Sequence, residues 1–392
     1  MSITTLRIYI RTLFRRYPYL PLGAVLLGCL FIVLIFSLLR NTSQDTPPRN
    51  SFPIQSSYAA TYYVSPNGND ANDARTSDTP FKSIDKALSL AEAGDEIRLA
   101  DGEYRQTFST LKSGTKDKQI TITGSRNAVV LGTTKESRIA EIRHDYIRLI
   151  GFTINGLDGD VAVKESYRDK LLYVIGSEKK DGVDGLVIDN MLLENAGGEC
   201  LRLRYFARDN EVKYSTIRHC GVHDFRFKGG SKNGEGIYIG TAPEQRDDGK
   251  NPTNDIDASR NNHVHHNVIE TYGNECVDVK EGASNNLIEY NTCQFQMDHD
   301  SGGFDARGND NIFRYNISKN NKGAGIRLGG DTMSDGINNQ VYGNTIENNG
   351  MGAVKTVRTP QAKLCDNKSK NNGDPQFKRS KGIDPDRSCK NV

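Results

Sequence analysis

The sequence predicts an all-β fold, a parallel β-helix solenoid, behind an N-terminal transmembrane helix. Strand-like runs of three to five residues alternate with Asn- and Gly-rich turns for more than 200 residues. The units Val277-x-Val279, Phe304-x-Ala306, Ile326-x-Leu328 and Val354-x-Thr356 recur at intervals of 27, 22 and 28 residues, roughly one coil of a β-helix. Residues 20–39 form a 20-residue run without a charged side chain, long enough to cross about 30 Å of hydrocarbon.

Arg7, Arg11, Arg15 and Arg16 precede that run and few charges follow it closely. The positive-inside rule then makes residues 1–19 a cytoplasmic tail and residues 20–39 a single-pass anchor. The remaining chain is extracellular, periplasmic or lumenal. A cleavable signal peptide is the alternative, but the run exceeds a usual signal core and lacks a small-x-small end before Arg40. Residues 40–60, with Pro47, Pro48 and Pro53, read as a linker.

The solenoid is expected over 61–360, with 361–392 as a C-terminal cap or tail. YYV at 62–64 is the first strand. Ser83 caps a short helix that places Ile84, Ala87, Leu88 and Ala91 on one face. Gly94 ends it, and EIRLADGEY supplies the next strand and turn. Strand signals then follow in ITITG, YIRLIGFTING, GLVIDNMLLEN, NNHVHHNVIE, NNLIEYNTC, DNIFRYNISKN and NNQVYGNTIENN. A strand this short cannot bury its inner face alone and must stack on copies of itself. Repeated Asn residues suit a hydrogen-bonded ladder at turns that accept left-handed dihedrals. The longer interval from Ile237 to Val277 fits a polar insertion at 241–260. Propellers and sandwiches compete, but they need longer hairpin strands and more regular turns.

Composition bounds the partners. With 51 basic and 49 acidic residues the net charge is +2, which is no footprint for duplex nucleic acid. Nothing implies an obligate protein partner. Apart from Cys29, the cysteines at 200, 220, 276, 293, 365 and 389 form an even set suited to an oxidising compartment. Chain order suggests Cys200–Cys220, Cys276–Cys293 and Cys365–Cys389, although 15 pairings exist and free buried thiols are the alternative. Glycosylation sequons begin at Asn41, Asn316 and Asn367.

Period-two alternation sends the aliphatics inward and the intervening residues to the outer face. The outward positions are Arg202 and Arg204, then Tyr238, Asp278 and Lys280, Asp305 and Arg307, Arg327, and Lys355. Coils stack about 4.8 Å apart, so these residues should form a solvent-facing ladder. Any one of them is ordinary surface polarity. Together, a stripe of cations suits an extended polyanion, and an acidic polysaccharide better than DNA. Glu199, Glu235 and Glu275 each precede the first inward aliphatic by two residues. Stacked carboxylates there repel unless hydrogen-bonded or bridged by a cation, and oxygen ligands are those Ca2+ accepts. Glu235 and Glu275 are the metal candidates.

The segment YYVSPNGND…TPFKSIDKAL…AGDEIRLADGEY resembles the lead-in module of secreted right-handed parallel β-helix proteins of the pectate-lyase-like superfamily. ECVDVKEGASNNLIEYNTC followed by GGFDARGNDNIFRYN further resembles the polysaccharide lyase family of chondroitinase B and alginate lyases. The family pattern sets a Glu five residues before a catalytic Lys, with an Arg on the next coil, which correspond to Glu275, Lys280 and Arg307. The resemblance implies a right-handed coil, a calcium ion that neutralises a uronate carboxylate, Lys280 as the base at C5, and Arg307 assisting. An arginine beside the lysine is expected to depress its pKa. Here Arg307 is followed by Gly308 where relatives usually carry His, and Lys280 is followed by Glu281.

The leading expectation is a lyase that cleaves a uronate-containing polysaccharide by β-elimination. A uronate C5-epimerase shares the first proton abstraction. A glycoside hydrolase would use paired aspartates such as Asp278 and Asp305, and a non-catalytic carbohydrate-binding or cell-surface protein would need only the ladder.

Overall fold

A computed structural model describes residues 57–133, 136–373 and 375–391. Among them, every strand pairs in parallel, in three sheets of eleven, nine and ten strands. Successive coils contribute one strand to each sheet, as Leu287–Glu289, Thr292–Gln294 and Gly302–Ala306 do. The stack runs from Thr61–Val64 to Lys368–Lys370.

Inward residues make one continuous core. Ile237, Val277, Phe304, Ile326 and Val354 stack in register along the nine-stranded sheet and are buried. Each such side chain contributes about 1.5–3 kcal/mol on leaving water. The helix Ile84–Leu90 lies at the N-terminal end. Ser83 caps it by accepting from the Lys86 backbone N–H, and Ile84, Ala87 and Leu88 are buried.

The corners explain the asparagines. Asn262, Asn286, Asn311 and Asn339 form one ladder, Asn267, Asn291, Asn316, Asn344 and Asn367 a second, and Asn321, Asn349 and Asn372 a third. Each side-chain oxygen accepts from the preceding coil. The left-handed dihedral belongs to the residue just before the ladder Asn, as at Asn285, Tyr290 and Asn320, so the two roles fall on consecutive residues. Tyr214, His266, Tyr290 and Tyr315 stack at this position with centroids 5.0–5.2 Å apart.

Three disulfides join Cys200–Cys220, Cys276–Cys293 and Cys365–Cys389. The last pins the C-terminal turns to the final coil, where the Cys389 backbone N–H also donates to the Asp366 carboxylate.

Two expectations are corrected. Among the described residues no helix is long and apolar enough to cross a membrane, and the expected span at 20–39 lies outside them, as does Asn41. The expected transmembrane helix, single-pass topology and membrane partner thus find no support among the described residues. The sequons at Asn316 and Asn367 are closed too: both amides are buried and committed to the ladder.

Candidate active site

The nine-stranded sheet aligns Arg202, Tyr238, Asp278, Asp305, Arg327 and Lys355 in one register row, one residue per coil. Each lies between two buried, inward-pointing residues, which is why local alternation sends it outward. Lys280 and Arg307 follow the ends of neighbouring strands, Val277–Val279 and Gly302–Ala306. Their backbone N–H groups donate to Ile239 and Val279, one coil back in each case.

Solvent exposure was expected of this row, and the structure corrects it. Asp278 and Asp305 are 0% exposed, and Arg202, Arg204, Tyr238 and Lys280 are buried. The insertion at 241–260 folds across the sheet. Arg204 donates to Asn251, Asp248 and the Gln245 carbonyl, and so anchors that loop instead of facing a ligand. Asp257 completes the anchor by accepting from the Tyr205 and Phe206 backbone and from Thr241. Gln245 accepts from Arg202 and from the Tyr238 hydroxyl. Arg202 also pairs with Glu199 at 3.1 Å, and Lys355 binds the Asp300 carbonyl at the rim.

A cavity of about 480 Å3 remains between this loop and the turns at 298–301 and 331. Glu235, Tyr238, Glu275, Lys280, Arg307 and Arg327 line it. A larger hollow of about 790 Å3, over Ser83 and Glu141, lies at the N-terminal end of the same sheet and contains none of these residues.

Lys280 Nζ stands 2.6 Å from Asp278 Oδ2 and 4.6 Å from the centre of the Tyr238 ring. The same ring takes the Arg202 guanidinium at 4.0 Å. Arg307 reaches Asp331 at 3.1 Å, Asp305 at 3.6 Å, Asp278 at 3.7 Å and Glu281 at 3.8 Å. Arg327 pairs with Asp305 at 2.9 Å.

The corner carboxylates converge. One oxygen from each of Glu235, Glu275 and Asp278 lies within 4.8 Å of the other two. Glu275 also accepts from Ser301, yet its Oε2 has no hydrogen bond, and neither has Asp278 Oδ1. Burial, then the charge of Glu199, pushes the Glu235 carboxyl up to about 7. Burial, followed by Asp278 and Asp305, raises that of Glu275 well above the usual range. Buried carboxylates this close must retain a proton or share a cation. The unmet acceptor atoms and the all-oxygen donor set fit Ca2+. Glu199, also at the corner, is instead taken by Lys170 and Arg202.

Lys280 differs from expectation. Burial opposes its charge, but Asp278 and the other anions outweigh both burial and the repulsion of Arg307, so its pKa lies well above the ordinary lysine value. The residue that decides its proton is Asp278, two positions away.

Several site residues escaped the sequence. Glu281 is buried beside Arg307 and accepts from the Asp331 backbone. Lys232 pairs with Asp298 at 2.9 Å and Asp300 at 3.0 Å, tying two rims together. Their signal was only a polar turn between coils, which carries no register.

The chain shares its fold with polysaccharide lyases. An alginate lyase from Paenibacillus sp. strain FPU-7 superimposes with a TM-score of 0.58 at 21% identity, over 74% of this chain and 94% of that one. The pectate lyase Pel9A gives 0.54 at 17% identity, over 75% and 70%. At these identities the likeness is one of fold. The uncharacterized protein YwoF of Bacillus subtilis (strain 168) is 34% identical over 87 residues, 22% of this chain and 18% of that protein. The match thus spans under a fifth of the relative's length. Residues 66–271 match the family described as Protein of unknown function (DUF1565), and the chain belongs to that family.

Proposed function

We propose that the chain is an enzyme that cleaves a uronate-containing, acidic polysaccharide by β-elimination. The observation that carries this reading is the meeting of Lys280, Arg307, Glu235 and Glu275 around one cavity, with the buried Asp278 carboxylate close to both glutamates. The fold it shares with an alginate lyase and a pectate lyase supports it.

In this reading Arg307 and Arg327 receive the uronate carboxylate through charge-assisted hydrogen bonds. Lys280, as the neutral amine, takes the C5 proton. The electron pair of that bond forms the C4–C5 double bond, and the C4–O4 bond breaks. The departing oxygen takes up a proton, which the Tyr238 hydroxyl on the same wall would supply once it exchanges its hydrogen bond to Gln245 for the substrate. Glu235, Glu275 and Asp278 would hold Ca2+, which when bound supplies charge neutralisation to the carboxylate beside the acidified carbon. The closed insertion keeps the lysine in a poorly solvated setting where such charges act strongly.

One observation favours a second reading. Lys280 is held as an ammonium by Asp278, an arrangement that equally suits a non-catalytic site that binds an acidic polymer. The full chain, given Ca2+ and then a chelator, should be offered alginate, pectate and glycosaminoglycans in turn. Ultraviolet absorbance from unsaturated uronate ends on one polymer is expected. Polymer binding without that absorbance supports the binding module. New reducing ends without unsaturation would point to hydrolysis.

A further inference from the structure

On the opposite side of the coil, the eleven-stranded sheet carries a cluster the proposed reaction does not use. Glu211–Lys213, His263–His265 and Leu287–Glu289 are adjacent strands, with Glu211 opposite His263 and His265 opposite Glu289. Val212, Val264 and Ile288 point inward and are buried. The flanking residues therefore share the outer face.

The contacts run along the diagonals. His265 Nε2 lies 3.0 Å from Glu211 Oε1, and His263 Nε2 lies 2.9 Å from Glu289 Oε1. The two imidazoles lie with ring centres 4.1 Å apart. One ligand atom from each of Glu211, His263 and His265 lies within 4.8 Å of the other two. Ligands about 2.0–2.1 Å from a tetrahedral zinc ion stand roughly 3.4 Å from one another.

We propose that Glu211, His263 and His265 form a binding site for a transition-metal ion of the Zn2+ class, with Glu289 as the fourth arm. Two imidazoles with carboxylates are a donor set for such an ion, whereas the all-carboxylate cluster on the other sheet suits a hard cation. The surroundings match. His265 Nδ1 lies 2.8 Å from His266 Nδ1, so His265 donates its Nδ1–H hydrogen bond to His266 when Nε2 is given to the metal. Lys213 and Arg314 hold the far oxygens of Glu211 and Glu289 at 2.7 Å, which fixes both carboxylates and leaves their near oxygens turned toward the imidazoles. The bound ion ties together three coils, across the long insertions at 222–232 and 241–260.

The test uses the full chain, without an affinity tag, stripped by a chelator and then supplied with Ca2+ to occupy any hard-cation site. Co2+ is titrated next. One equivalent should develop visible d–d absorption that Zn2+ abolishes, and Zn2+ should raise Tm. His263→Ala, His265→Ala and the polar replacement His263→Gln should each weaken Co2+ binding by more than about 100-fold, beyond the effect of losing an outer partner. Glu275→Gln should leave the band unchanged. Absence of the band overturns the proposal, as does a band that survives His263→Gln or disappears with Glu275→Gln. The Tm readout covers unstable variants: a Zn2+-induced rise persisting in His263→Gln also overturns it.

Discussion

Lys280 and Asp278, two residues apart on the outer face of the nine-stranded sheet, form a buried ion pair with 2.6 Å between Nζ and Oδ2. The pair favours the charged amine, whereas proton abstraction needs the neutral one. A substitution that keeps the charge and loses the base therefore separates the two roles of the lysine.

Lys280→Arg keeps a cation beside Asp278 but does not deprotonate. It should fold normally and lose elimination by about 10²–10⁴-fold, the usual share of a general base. Lys280→Ala should lose activity as well and also be less stable, because buried Asp278 then keeps only its longer contact to Arg307 at 3.7 Å. Unsaturated product formation by Lys280→Arg at the wild-type rate would remove Lys280 as the base.

Glu275 carries an oxygen without a hydrogen bond inside the carboxylate cluster. Glu275→Gln should weaken Ca2+ binding by at least tenfold, about 1.4 kcal/mol, as read by isothermal titration calorimetry. A titration identical to wild type would assign Ca2+ elsewhere.

Arg204 ties the insertion to the sheet through Asn251 and Asp248. Arg204→Ala strands those partners and should cost about 2–4 kcal/mol. Limited proteolysis should then cut within 241–260 before any other site. Denaturation with an unchanged midpoint would show that the loop holds by other contacts.

Glu141 lies on the same sheet face, between Arg138 and Arg143 at 2.7 Å each. Burial raises its pKa, but the two guanidinium groups outweigh this and hold the carboxyl below its usual 4.5. The folded state thus binds this proton less tightly than the unfolded chain. Its stabilisation is complete above about pH 4.5 and declines as pH falls through the lowered value. A Tm profile against pH should drop less steeply on the acid side for Glu141→Gln. Parallel profiles would contradict the assignment.

Asn291 sits mid-ladder, accepting from Asn267 and donating to Asn316 and to the Val264 and Glu289 carbonyls. Asn291→Ala orphans buried groups on both neighbouring coils, at about 1–3 kcal/mol each. Asn372→Ala, at the end of its ladder, should cost clearly less in urea denaturation.

The amino-acid sequence by itself determined what local geometry determines. Alternation in GIYI, CVDVK and GFDAR set which side chains enter the core, since successive residues in a strand point to opposite faces. The recurrent Asn at the turns marked the corners, and Ser83 marked the helix start. The outward row of Arg202, Tyr238, Asp278 and Asp305 followed from the same alternation.

The tertiary structure decided everything that depends on a second coil or a returning loop. It buried Arg202 and Tyr238 beneath 241–260, took Arg204 out of reach with Asn251, and brought Glu235 and Glu275 to Asp278. It also set Glu281 beside Arg307 and made Asp278, not Arg307, the group that governs Lys280. The physical reason is one of range. Side-chain direction is a property of adjacent dihedrals, whereas burial, ion pairing and proton affinity depend on groups tens of residues away, and polar loop sequences carry no register from which their position can be read.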